Sequence, residues 1–354
     1  MEERALIEVK NLTKKYGTSV AVDNLSFTIE RGKIYGLLGP NGAGKSTTMN
    51  IITGCLSPSS GRVLIDGIDI LEDAVSAKKK IGYLPETPPV YPDMTPEEYL
   101  SFVAEAKGLR GEALYDQVYT VMEETNILDM KDRLIKNLSK GYRQRVGIAQ
   151  AMLGDPQVII LDEPTVGLDP KQITEIRELI SRLGKSRTVI LSSHILSEVS
   201  EVCDRVMIIN RGRLIASDTL ENIRRDNSPE NRYVLTVKAR KEQVESLLFG
   251  FPSITNVRLD FAGGVTTAII DLEDGADIRE ELFFRFAERR VAILEMKKIA
   301  PSLEEIFLSL TEIVCDEDIP SDEDEYDEDE YDEDDEDDDD YKPLFSSSCE
   351  EDEE

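Results

Sequence analysis

Three short stretches hold residue types that can do phosphate chemistry together. The first is GPNGAGKST, in which Gly39, Pro40, Asn41, Gly42, Ala43 and Gly44 run into Lys45, Ser46 and Thr47. It matches G-x-x-x-x-G-K-[ST] after an apolar run and before a helical pattern. Glycines let the backbone wrap with its N–H groups pointing inward, an anion nest at a helix N-terminus. Lys45 supplies a point charge for the outer phosphates, and the Ser46 hydroxyl a ligand for Mg²⁺, so the stretch reads as a nucleoside triphosphate site. The second is VIILDEP, where Asp162 ends an apolar run and Glu163 follows. An acidic pair there is by itself a solvated strand end. Beside a phosphate loop, Asp162 suits Mg²⁺, directly or through water, and Glu163 suits orienting or deprotonating a water that attacks a γ-phosphate. The third is LSSHIL, with His194, the only histidine in 354 residues. By type alone it is a satisfied structural residue. At the carboxyl end of a strand parallel to VIIL, it shares the ligand crevice of an open α/β sheet.

The elements that must position these groups are legible in the hydrophobic pattern. ALIEVKNL and SVAVDNLSFTIERG alternate apolar and polar residues, as half-buried antiparallel strands do, with a turn at Gly32. KIYGLLG is a buried strand, and KSTTMNIITG a helix stopped by Gly54. VIIL, TVIL and RVMIIN are short continuous apolar runs; a helix with Ile173, Ile176, Ile180 and Leu183 on one face lies between the first two. Strands alternating with helices predict a largely parallel sheet covered on both sides. Residues from about 91 to 153 break that rhythm with proline-rich and then helical patterning, as an insertion would. After RRDNSPEN the order becomes strand, helix, strand, strand, helix, strand, with Gly263-Gly264 as a hairpin turn, which is the ferredoxin-like arrangement. The helix SLEEIFLSL is expected to close that unit.

LSKGYRQRV, residues 138 to 146, decides among phosphate-loop proteins. Ser139 reads as an N-cap, Gly141 gives the helix start flexibility, and Val146, Ala149 and Leu153 form an apolar stripe. Alone this is a capped helix; a hydroxyl and a glycine at a helix start also make a second anion-binding end. With GLDP at 167–170, five motifs now stand in order over residues 6 to 225. In this the chain resembles the ATP-binding subunit of an ABC transporter. LSKGYRQRVGIAQAMLGDP together with APSLEEIFLSLT is most similar to subunits of ABC-2-type exporters.

The resemblance implies an α/β P-loop NTPase (ABC ATPase) domain over residues 1–225, with an antiparallel β subdomain and a helical insertion. A ferredoxin-like α+β accessory domain is expected over 230–312, and a disordered acidic tail over 316–354. ATP and Mg²⁺ are the implied cofactors. Lys45, Glu163 and His194 form the catalytic set, with His194 hydrogen-bonding the γ-phosphate; Ser46, Asp162 and Glu86 form the metal set. The resemblance further implies that Tyr16 stacks on adenine. Two subunits, alike or different, would sandwich ATP head to tail, with Ser139 and Gly141 of one on the γ-phosphate bound by the other and Asp169 at the seam. A separate membrane-spanning permease would dock on the insertion around PVYPDMTPEEYLSF, next to Glu86. Two departures stand out. Lys140 and Tyr142 replace the third and fifth residues of the commonest signature, L-S-G-G-Q. Glu86 stands where many relatives carry glutamine, which implies a retained coupling role with altered metal binding.

Charge and composition bound the rest. Of the formal net charge of −31, residues 316 to 354 carry −24, from 25 acidic residues against Lys342, which leaves −7 for the others. DEDEY repeats directly at 322–326 and 327–331, and so charged a segment buries too little apolar surface to order itself. Solvation is its plainest role; tethering to the basic cytoplasmic loops of a permease is the sharper one. Cys55, Cys203, Cys315 and Cys349 form no C-x-x-C pair, which fits free thiols in a reducing compartment. No signal peptide and no apolar run of about 18 residues is read, so the expected place is cytoplasmic, peripheral on the inner membrane face through the permease. A soluble ATPase acting on nucleic acid or ribosomes is disfavoured by one phosphate loop, no sustained heptads and an acidic balance. A regulatory ATP binder with little turnover is disfavoured by Glu163 and His194.

Overall fold

The computed structural model describes residues 5–227, 231–273, 275–299 and 302–316. The tail read as disordered lies, beyond Asp316, outside the described residues.

The chain opens with two long strands, β1 (Ala5–Tyr16) and β2 (Ser19–Glu30), paired antiparallel. Alternation puts Val22, Leu25, Phe27 and Ile29 inward, as a one-sided sheet requires. Next come β3 (Ile34–Leu38), α1 (Lys45–Ile52), β4 (Ser60–Ile65), β5 (Ile68–Asp69), α2 (Ala74–Lys78) and β6 (Ile81–Leu84). β4 and β5 join the first pair in a sheet of order β2-β1-β4-β5. A helical stretch follows, with α3 (Pro96–Ala106), α4 (Glu112–Glu124) and α5 (Lys140–Met152). Thr95 and Glu98 close a full capping box at the start of α3. Then come β7 (Val158–Leu161), α6 (Pro170–Gly184), β8 (Thr188–Ser193), α7 (Leu196–Ser200), β9 (Arg205–Asn210), β10 (Arg213–Asp218) and α8 (Leu220–Asn227).

These build a six-stranded sheet of order β10-β9-β3-β8-β7-β6, parallel except for the β9–β10 hairpin. The sheet is the wall between two cores. Val158 and Ile160 of β7 face Met49 and Ile51 of α1 and the antiparallel sheet; Ile159 and Leu161 face the cluster of α3 to α6. Burial on both faces is why this strand reads as an unbroken apolar run.

The last elements are β11 (Asn231–Val237), α9 (Lys241–Leu248), β12 (Ile254–Ala262), β13 (Val265–Leu272), α10 (Arg279–Glu288), β14 (Ile293–Ile299) and α11 (Leu303–Asp316). The four strands form an antiparallel sheet of order β12-β13-β11-β14. The β12–β13 connection is Gly263-Gly264, both at positive φ, as a tight hairpin turn demands. Leu235, Val237, Ala268 and Ile270 face Val244, Leu247, Leu282 and Phe286 of α9 and α10.

α11 departs from expectation. The apolar face of that sheet is already covered by α9 and α10. The stripe of Leu303, Ile306, Phe307 and Leu310 instead joins the core of the large sheet, against α7 and α8. Asn210 Nδ2 donates to the Thr311 carbonyl at 2.9 Å, and Arg232 reaches Glu305 at 2.9 Å. One helix thus fastens the C-terminal sheet to the sheet that precedes it.

Candidate active site

Parallel pairing brings the carboxyl ends of β3, β7 and β8 to one edge. Leu38 pairs with Ser193, and Leu161 with Leu191, so the residues just beyond these strands meet there. From β3 the chain wraps through Gly39–Gly44 into α1. Gly44 is the N-cap, at φ +99°, and a Cβ on it would lie 2.4 Å from the Ala21 carbonyl oxygen. Only glycine fits both the conformation and the space. Lys45 turns back, donating to the carbonyls of Gly39 at 2.8 Å and Pro40 at 3.2 Å, and its Nζ lies 3.6 Å from Glu163 Oε1.

Asp162 follows β7, and its Oδ1 accepts the Ser46 hydroxyl at 3.3 Å and the Ser192 hydroxyl at 2.5 Å. Glu163 has φ +46°, a strained conformation for a residue with a side chain, costing about 1–3 kcal/mol where the surroundings must enforce it. Part of that enforcement is visible: its backbone N–H donates to Ser192 Oγ at 2.8 Å. Glu163 Oε2 then stands 3.0 Å from His194 Nδ1. Glu163 is nearly buried and the imidazole is 39% exposed, so the pair joins the protein interior to an open cleft. Behind it, Tyr83 donates to Asn50 Oδ1 at 3.1 Å, and burial, then the Asp162 charge, push its hydroxyl above the usual phenol range.

These groups line a cleft of about 350 Å³, walled by Asn41 to Thr47, Glu86, Glu163, Val166 and His194. Within one chain it therefore gathers Lys45, Ser46, Glu163, His194 and Glu86, with Asp162 bonded to Ser46 in its wall. Tyr16, Ser139, Gly141 and Asp169 lie outside it. Tyr16 is exposed at the end of β1, with the Lys14 ammonium 5.3 Å from its ring centre. Ser139 caps α5, accepting from Tyr142 N at 3.4 Å, and Asp169 caps α6, accepting from Gln172 N at 2.9 Å. Gly141 and Asp169 line a separate, larger cavity of about 610 Å³. There the Tyr142 hydroxyl donates to Asp129 at 3.1 Å, and burial, then that bond, raise its pKa. The larger cavity has no phosphate nest; chemistry singles out the smaller one.

Ser46 and Asp162 present hard oxygen donors side by side, which suits Mg²⁺, a cation that keeps several waters and takes one or two protein carboxylates. Among the described residues, no cluster of three or more His, Cys, Asp or Glu could cage a metal without such help. Sequence reasoning left Ser192 without a role. Its signal was a hydroxyl in an otherwise apolar buried strand, a polar group at a core position.

The family model described as ABC transporter matches residues 22–166. An uncharacterized ABC transporter ATP-binding protein, YhcH, of Bacillus subtilis is 37% identical over 87% of this chain and 96% of its own length. The linearmycin resistance ATP-binding protein LnrL of the same organism is 31% identical over 86% of this chain and 98% of its own. Among solved structures, a dimeric ATP-binding cassette in a post-hydrolysis state with ADP and Pi superposes with a TM-score of 0.55. It shares 27% identity and covers 60% of this chain and 98% of its own.

Proposed function

This chain belongs to the family of ABC transporter ATP-binding proteins, and on that premise we propose how its residues do the family's work. It hydrolyses ATP to energise transport through a separate membrane-spanning permease. In our reading the direction is export, in keeping with a relative of Burkholderia lata named as a Nod factor export ATP-binding protein. Among the described residues no helix is long and apolar enough to cross a membrane. In this reading the permease holds the chain at the inner membrane face, docked on the stretch around Tyr91 and Phe102 next to Glu86.

The observation that carries the mechanism is the contact of 3.0 Å between His194 Nδ1 and Glu163 Oε2, at the mouth of the phosphate nest. The loop N–H groups and Lys45 bind the β- and γ-phosphates. Ser46 and Asp162 hold Mg²⁺, which neutralises phosphate charge when bound. Glu163 orients the attacking water and accepts its proton, and His194 bonds the γ-phosphate while its other face holds Glu163. Tyr16 stacks on adenine. Ser139, Gly141 and Asp169 lie outside the cleft because they complete the site of an opposite subunit, so hydrolysis waits for dimer closure. Glu86 joins the cleft to the permease surface and alters the Mg²⁺ requirement. The C-terminal sheet is a ferredoxin-like accessory domain that braces the nucleotide domain and reinforces the dimer.

The deciding experiment compares ATP turnover of the wild type and Glu163→Gln with the permease present. Loss of a general base predicts a fall of about 10²–10⁴-fold with ATP binding retained. Equal rates would overturn the reading of the site. The same assay on Glu86→Gln, titrated with Mg²⁺, is expected to show a shifted half-maximal concentration.

A further inference from the structure

α7 carries Glu198, a residue 9% exposed whose carboxylate is paired with no lysine, arginine or histidine among the described residues. An ionised group in so buried a place is costly unless its hydrogen bonds compensate. Its Oε2 accepts two hydroxyls, Thr165 at 2.6 Å and Ser193 at 3.2 Å.

Each hydroxyl belongs to one side of the hydrolytic pair. Thr165 follows Glu163 by two residues, inside consecutive turns closed by Val166 N–H on the Glu163 carbonyl and Leu168 N–H on the Thr165 carbonyl. Ser193 precedes His194, and its Oγ also accepts the Ile195 N–H at 3.0 Å, which pins the backbone on both sides of the histidine. Glu163 and His194 are 31 positions apart in sequence, and Glu198 is hydrogen-bonded to neither. It holds the segments that carry them.

We infer that Glu198 is a positioning residue that sets the Glu163–His194 geometry by anchoring Thr165 and Ser193 on one carboxylate oxygen. The inference rests on reading Glu163 and His194 as the hydrolytic pair. Reactive groups displaced by about 1 Å can lose a hundredfold in rate, so a common anchor for both segments matters to chemistry rather than to nucleotide binding. An ordinary tie between a loop and a helix would contribute stability alone.

The solitary histidine makes the distinction measurable, because an untagged, histidine-labelled full-length chain gives one imidazole signal by nuclear magnetic resonance. Glu198→Ala is expected to lower ATP turnover about tenfold or more, to leave the ATP dissociation constant within about twofold, and to move the His194 ring resonances in the Mg²⁺–ATP state. Glu198→Gln, which keeps an oxygen for both hydroxyls, is expected to restore the wild-type resonances and a rate within about threefold. Should Glu198→Ala fail to fold, Thr165→Val removes one hydroxyl from the same network with little change of shape, and is expected to move the same resonances. Wild-type turnover in Glu198→Ala, or lost turnover with unmoved His194 resonances, would overturn the inference. Failure of the hydrolytic reading itself would show separately, as undiminished turnover in Glu163→Gln.

Discussion

Two buried polar clusters in this molecule are built on opposite plans. In the C-terminal sheet, Arg232 makes a bidentate pair with Asp271 and a further bond to Glu305, and these bonds, Asp271 first, raise its pKa. There the cation meets carboxylates directly, and Asp271 takes it with both oxygens. At the edge of the large sheet, Asp162, Glu163 and Glu198 are all buried, and the buried cation among them is Lys45. Their remaining partners are hydroxyls and one imidazole, and Glu163 is held in a strained conformation. The first cluster satisfies itself, as a structural device must. The second leaves three carboxylates against one buried ammonium beside an open cleft, and in the proposed function a divalent cation and phosphate complete it.

Breaking the first cluster is expected to have the largest effect, and on stability alone. Arg232→Ala leaves Asp271 buried without its cation, a change that costs about 3–5 kcal/mol. Urea denaturation would measure it, with ATP affinity of the folded fraction within about twofold of wild type. Strong loss of ATP binding by folded protein would erase the contrast between the two clusters. His194→Ala makes the opposite prediction: hydrolysis falls about a hundredfold while ATP binding and the melting temperature hold. A mutant with normal turnover would return the histidine to a structural role. Ser192→Ala is the finest cut. It removes one hydroxyl from Asp162 and an acceptor from the Glu163 N–H, so turnover is expected to fall about tenfold for a stability loss of about 1 kcal/mol. A stability loss with no change in rate would place Ser192 with the structural cluster instead.

Legibility in the sequence followed locality. The phosphate loop was plain because its nine residues are contiguous and each acts through its own backbone or side chain. Asp162 and Glu163 were legible from an apolar strand ending in carboxylates, and His194 from its place in an order of motifs. Ser192 and Glu198 were not, because what they do depends on partners about 30 positions away. α11 shows the same limit in the fold. Its apolar stripe was evident, yet the pattern of a helix does not state which surface it covers. α9 and α10 had already filled the nearer one.

By itself, then, the sequence determined the residue types, the strand and helix periods and the motif order, all of them local properties of a chain that packs a parallel sheet. The strand pattern already places His194 and Glu163 at one edge; only the tertiary structure decided that their side chains meet at 3.0 Å. It also decided that Ser139, Gly141 and Asp169 stand apart from the cleft, and that one carboxylate on α7 accepts hydroxyls from both the segment after Glu163 and the segment before His194. The physical reason is that a hydrogen bond acts over about 3 Å in space, whatever the separation along the chain.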